Sequence, residues 1–205
     1  MSIQIKERPI IFSAPMVRAI LEGRKTVTRR ELKKQAALDC LAAGFEPAFL
    51  ALPGNSDLCP YGRQGDRLWV REAWAADAQL DAIAPRELSQ GEPIRYLADG
   101  AMQQTGCSMI TPSKTRPSIH MPRWTSRIQL EITDVRVERL QDISRADIRA
   151  EGLQCPAELT SDDVSPNYRD WYPAAWRELW KSINGPDAWN ANPWVWVVEF
   201  KQVTP

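Results

Sequence analysis

The sequence predicts an α+β fold, a small mixed β-barrel with flanking helices, carried as a single domain over residues 1–205. Three observations predict it. Residues 14–22 and 173–183 carry the apolar spacing of amphipathic helices, whereas Arg67–Trp74 alternates like a half-buried strand and Trp194–Phe200, apolar except for Glu199, reads as a buried one. Between these, Ile128, Leu130 and Ile132 alternate with polar residues and then the apolar phase slips to Val135 and Val137, as in a strand that bends at a barrel corner. With 205 residues, 43% of them hydrophobic, the chain is long enough for one sizeable core.

Taken in order, Ser13 can cap a first helix in which Pro15 sits in the first turn and Met16, Val17, Ile20 and Leu21 form one stripe. Gly23 stops it. Thr26–Arg30 reads as a short strand, because two threonines flank Val27. Residues 33–60 form a first insertion, with a helix expected over Glu31–Ala43 and a loop marked by Pro47, Pro53, Gly54 and Asn55. A turn at Tyr61–Asp66 leads into the strand Arg67–Trp74, where Leu68 and Val70 alternate with Trp69 and Arg71. Residues 75–115 form a second insertion of weak periodicity, with a hairpin starting at Ile94–Leu97 before Asp99-Gly100. The prolines of Arg116–Trp124 make that stretch an extended loop. Ser144 and Asp147 fit a capping box for a short helix ending at Glu151-Gly152. Pro173 opens the last helix, Asn184-Gly185-Pro186 closes it, and five of the nine tryptophans, Trp171, Trp176, Trp180, Trp194 and Trp196, supply core in this region.

Composition excludes several classes of function. Acidic and basic residues balance at 26 each, so the whole molecule lacks the field of a general nucleic-acid binder. The exception is local: Lys6–Lys34 holds nine Lys or Arg against three Glu. No run of apolar residues is long enough for a membrane span and the N-terminus has no secretory pattern, so a cytoplasmic protein without a membrane partner is expected. Four scattered cysteines and one histidine, His120, point to reduced thiols, no metal and no cofactor.

The most chemically loaded stretch is Gly23-Arg24-Lys25-Thr26-Val27-Thr28-Arg29-Arg30. It fits an anion-binding edge of a sheet, and it equally fits a hydroxyl nucleophile with an activating amine. A threonine needs a base to take its proton, and a lysine serves only when burial or neighbouring cations such as Arg24 and Arg29 hold its amine neutral part of the time. Residues three apart on a flat strand face opposite sides, so Lys25 is expected in the turn after Gly23.

The ordered set of this stretch, Gly65-Asp66-Arg67-Leu68, the long bent strand, the capped helix ending in Glu151 and a terminal Trp-Val-Val-Glu-Phe-Lys resembles the ASCH domain family of the PUA-like superfamily. The likeness is greatest to its longer, prophage-borne members and covers about half of the chain, the insertions excepted. It implies a PUA-like (ASCH) mixed β-barrel with RNA or a modified nucleoside as partner. Some bacterial members are amidohydrolases that remove the acetyl group of N4-acetylcytidine with a lysine, a threonine and a glutamate, which fall here on Lys25, Thr28 and Glu151. Other members bind RNA or act as ribonucleases, and the resemblance permits these alternatives equally. A modified base needs a flat apolar surface and partners for its edge. Trp69, Arg71, Glu72, His120, Arg123 and Trp124 are the candidates for that, with Arg24 and Arg29 as electrostatic contacts; a monomer is the default.

Overall fold

The computed structural model describes residues 5–55, 57–104, 106–157 and 171–203. Its elements are β1 (Glu7–Ile11), α1 (Ala14–Leu21), β2 (Val27–Glu31), α2 (Gln35–Ala42), α3 (Pro47–Leu50), β3 (Arg67–Arg71), β4 (Trp74–Ala75), β5 (Ile94–Tyr96), β6 (Met102–Gln103), β7 (Gln129–Arg139), α4 (Arg145–Ala150), α5 (Trp171–Asn184) and β8 (Trp194–Val203), joined by short 3-10 turns. The architecture is mixed α+β with two sheets. The chain divides into two compact units, the first built from residues up to Glu22, Gly65–Glu131 and the C-terminal end, the second from Gly23–Gln64 and Ile132–Lys201. No helix among the described residues is long and apolar enough to cross a membrane.

In the first unit β1 pairs in parallel with β3, from Glu7 opposite Arg67 to Ile11 opposite Arg71, and β3 pairs antiparallel with the start of β7. A second sheet, β4-β5-β6, comes from the stretch with weak sequence periodicity. Its β5-β6 hairpin turns where expected, with Gly100 at φ +78°, a conformation that glycine adopts without steric cost. Trp74, Ile94, Tyr96 and Met121 form the core of this region, with Trp124 half-buried against it. The expected extended loop at 116–124 instead contains two 3-10 turns, Ser118–His120 and Arg123–Thr125. Each of these turns follows directly on a proline, whose fixed φ is compatible with entry into a helical turn.

In the second unit β2 pairs antiparallel with β8, Thr28 opposite Val198 and Arg29 opposite Val197. One side of this pair, with Val27, Val195 and Val197, packs on Leu140, Ile148, Trp176 and Trp180. Thus Trp176 and Trp180 fill a core as their spacing predicts, and α5 contributes the face that carries them. The apolar slip along β7 is present: Leu130 and Ile132 are buried, Asp134 is exposed, and burial resumes at Val137. Residue Ser13 stands at the N-cap of α1 but makes no side-chain capping bond, and the helix is instead entered through its proline. The Ser144 cap of α4 is made, with its hydroxyl accepting from Asp147 N at 3.1 Å. The reciprocal half of the box is not, because the Asp147 carboxylate is taken by arginines.

Candidate functional site

Backbone pairing places Lys25. Gly23 at φ +73° turns the chain out of α1, and residues 24–26 then lie along the end of α4. Arg24 Nη1 donates to the Gly152 carbonyl at 2.6 Å, Lys25 forms an isolated antiparallel bridge with Glu151, and Thr26 N donates to the Ala150 carbonyl at 2.8 Å. β2 begins only at Val27, so Lys25 precedes the strand, as its spacing from Thr28 predicts.

The Lys25 side chain is 0% exposed and that of Glu151 2%. Its Nζ donates to Glu151 Oε2 at 2.6 Å, to the Glu151 carbonyl at 3.0 Å and to the Val27 carbonyl at 2.7 Å. Three acceptors match the three N–H groups of an ammonium, so the charged form is fully bonded. Burial acts the other way and is the larger influence: it holds the Lys25 pKa below its ordinary value of 10.5, opposed by Glu151 and helped by Arg30 and Arg29. The amine is thus structurally held yet easier to deprotonate than an exposed lysine.

Thr28 is buried on β2, and the alternation of the strand puts it on the side opposite Arg29 and Val27. The Val27 carbonyl that receives Lys25 Nζ belongs to the peptide bond carrying Thr28 N, while no hydrogen bond joins Lys25 Nζ to the Thr28 hydroxyl.

Arg29 is not presented to solvent. Its side chain is 0% exposed, and Nη2 donates to Asp147 Oδ2 at 2.6 Å and Glu138 Oε2 at 3.0 Å, with Nη1 3.6 Å from Glu151 Oε1. Arg136 binds the same two carboxylates, through Nη2 to Asp147 and Nε to Glu138, and also pairs with Glu199. Arg136, Glu138, Asp147 and Glu199 were not expected in the site. A signal for them existed, since Asp134, Arg136 and Glu138 recur at period two on a strand and so share a face.

The remaining expected residues lie in the first unit. Trp69 is largely buried, with the Arg71 guanidinium 4.6 Å from its ring centroid and that of Arg123 5.9 Å away, a cation–π arrangement. Arg71 Nη1 also donates to the Ile119 carbonyl, and Arg123 pairs with Glu7. His120 is exposed on its 3-10 turn. Trp124 belongs to the Trp74–Tyr96 core. Glu72 is buried and held by both Nε and Nη2 of Arg127, which also binds Asp99; burial pushes the Glu72 carboxyl above its ordinary pKa against the pull of Arg127.

Among the described residues no group of three or more His, Cys, Asp or Glu is disposed to hold a metal ion. No protein-family profile, curated protein or solved structure matches the chain.

Proposed function

We propose that the second unit is an amidohydrolase site acting on an acylated exocyclic amine of a nucleobase, N4-acetylcytidine or a close relative, free or within RNA, in a PUA-like barrel of the ASCH type. The observation that carries the reading is the buried Lys25 amine, lowered in pKa by its burial and bonded to Glu151 at 2.6 Å. A lysine suited to act as a base needs both an amine that deprotonates near neutrality and a partner that orients it.

In the proposed reaction Thr28 Oγ1 attacks the acyl carbonyl while its proton passes to Lys25 Nζ. The tetrahedral oxyanion collapses, the bond to the nucleobase nitrogen breaks, and Lys25 returns the proton to that nitrogen. Water then hydrolyses the threonyl ester to release the acid. A neutral amine has two N–H groups and one lone pair, so accepting the Thr28 proton requires one of the three present contacts of Nζ to open. The burial of Arg29 among carboxylates favours this reading over a ribonuclease, since a guanidinium already bound by Glu138 and Asp147 is not offered to phosphate.

Incubation with N4-acetylcytidine and other N4-acyl cytidines, with cytidine detected by mass spectrometry, tests the proposal. Cytidine is expected from the wild type, and at least about 100-fold less from Thr28→Ala and from Lys25→Met, the scale lost with a nucleophile or its base. Folded protein that releases no cytidine from any of them overturns the activity. Full rate in Thr28→Ala overturns the nucleophile.

A further inference from the structure

The charged side chains of the second unit form one row of alternating sign. Lys25 Nζ is 2.6 Å from Glu151 Oε2, and Glu151 Oε1 faces Arg29 Nη1 at 3.6 Å. Arg29 is clamped by Asp147 and Glu138, and Arg136 holds both of these from beyond and pairs with Glu199. The row begins at a side chain 0% exposed and ends at Glu199, 37% exposed. Its members come from the turn before β2, the end of α4, β2, β7, α4 and β8.

The contact between Arg29 and Glu151 has a specific character. At 3.6 Å it is too long for a hydrogen bond and too short for a water to stand between the two atoms. Glu151 Oε1, Arg29 Nη1 and Arg29 Nε are all buried without a hydrogen-bond partner among the described residues. Polar atoms left so are costly, and a fold that only needed packing at this position would be served by an apolar side chain beside Val27 and Val197. Arg29 therefore acts on Glu151 through charge at short range in a poorly screened interior.

We propose that Arg29 is a positioning residue for Lys25: clamped by Glu138 and Asp147, it draws on the second oxygen of Glu151 and so decides how far that carboxylate stabilises the Lys25 ammonium. Its catalytic consequence rests on the amidohydrolase reading, while its effect on Lys25 does not. The charged groups that face Lys25 are Glu151 from the end of α4 and Arg29 and Arg30 from β2. Removing Arg29 takes away a repelling cation and leaves Glu151 wholly to Lys25, and both changes favour the protonated amine.

The test is a pH titration of the Lys25 side chain by NMR in protein carrying carbon-13 lysine, with the Lys25 resonance identified by its loss in Lys25→Met. The wild-type midpoint is expected below 10.5. Arg29→Gln is expected to raise it measurably, because a repelling cation is removed and Glu151 is left to Lys25. Arg29→Lys keeps the charge and is expected to restore most of the wild-type value, which a purely structural role would not do. If Arg29→Gln does not fold, the double variant Arg29→Gln/Asp147→Asn removes the cation together with one of its partners, and the midpoint is again expected to rise.

For the hydrolysis of N4-acetylcytidine, the rising limb of the pH profile should move up with the Lys25 midpoint, giving about a tenfold lower kcat at pH 7 per unit with KM unchanged. A Lys25 midpoint that stays in place in the folded charge-removing variant overturns the proposal whether or not any substrate turns over. A midpoint that moves in a protein without hydrolytic activity overturns the proposed function and leaves the positioning role standing.

Discussion

Lys25 Nζ and Glu151 Oε2 lie 2.6 Å apart, both buried, although 126 positions separate the residues in the chain. The backbone bridge between the same two residues holds the pair independently of their charges. Two groups so completely removed from water depend on each other, since Lys25 without Glu151 is a buried charge without its counterion and Glu151 without Lys25 keeps only the longer 3.6 Å contact to Arg29. Glu151→Ala and Lys25→Met are each expected to cost about 3–5 kcal/mol of stability, the scale for breaking a buried pair from one side. The double variant Lys25→Met/Glu151→Leu should cost much less than the sum of the single changes. Urea denaturation of the four proteins gives the coupling directly.

Lys25 also sets a pH dependence of stability. Its folded pKa lies below the unfolded 10.5, so between those two values the unfolded chain binds more protons than the native one. Stability contributed by this group therefore rises as pH increases from the lowered folded value towards 10.5, and below the folded value the full cost of burying the ammonium remains. The rise should be present in the wild type and absent from Lys25→Met, as measured by urea midpoints across alkaline pH.

Ser144 caps the helix that carries both Asp147 and Glu151. Ser144→Ala is expected to lower stability by about 1 kcal/mol, the usual cost of a lost N-cap. Because the cap bond anchors the first turn of α4, amide exchange measured across Arg145–Glu151 should speed up as well.

Gly23 provides the turn that lays residues 24–26 along α4, and it does so at φ +73° with open space where a Cβ would stand. Substitution is therefore a test of backbone strain alone. Gly23→Ala is expected to cost about 1–2 kcal/mol, the penalty for an L-residue in the left-handed region, read from thermal or urea unfolding.

In the first unit Arg127 holds two carboxylates, Glu72 and Asp99, over the ring of Tyr96. Burial already pushes Glu72 above 4.5, and Arg127 is what restrains it. Arg127→Met is expected to cost about 3–5 kcal/mol at neutral pH because it strands a buried carboxylate. The sign with pH follows from the raised folded pKa: above 4.5 the native state binds the extra proton, so stability falls as pH rises through the folded value. The deficit of the variant should consequently shrink on mild acidification, which chemical unfolding at a series of pH values would record.

Features written in short stretches of sequence were legible. The apolar stripes of α1 and α5, the Ser144 cap, the stop at Gly23 and the phase slip of β7 each depend on neighbours within a few residues and are present, although Leu21 and Ile183 at the ends of the two stripes are exposed. The alternation expected of β3 does not appear in its burial, because Leu68, Trp69 and Val70 are all covered. The helix expected over Glu31–Ala43 is shorter because β2 continues to Glu31 against Val195, a pairing partner far along the chain. Local propensity has no access to that partner. The β4-β5-β6 sheet was only partly visible for a related reason: its strands are two or three residues long, too short for a periodicity to register.

By itself the sequence determined the α+β character and the turn that lifts Lys25 out of β2, and its resemblance singled out Lys25, Thr28 and Glu151, of which the structure pairs Lys25 with Glu151. Only the tertiary structure decided which charges meet. Arg29, which sequence assigns to a basic edge, is instead enclosed by Glu138, Asp147 and Glu151, and Glu72 is claimed by Arg127. The physical reason is that an ion pair is selected by distance and burial, and both come from strand register and helix placement over more than a hundred residues of chain, which no local pattern encodes.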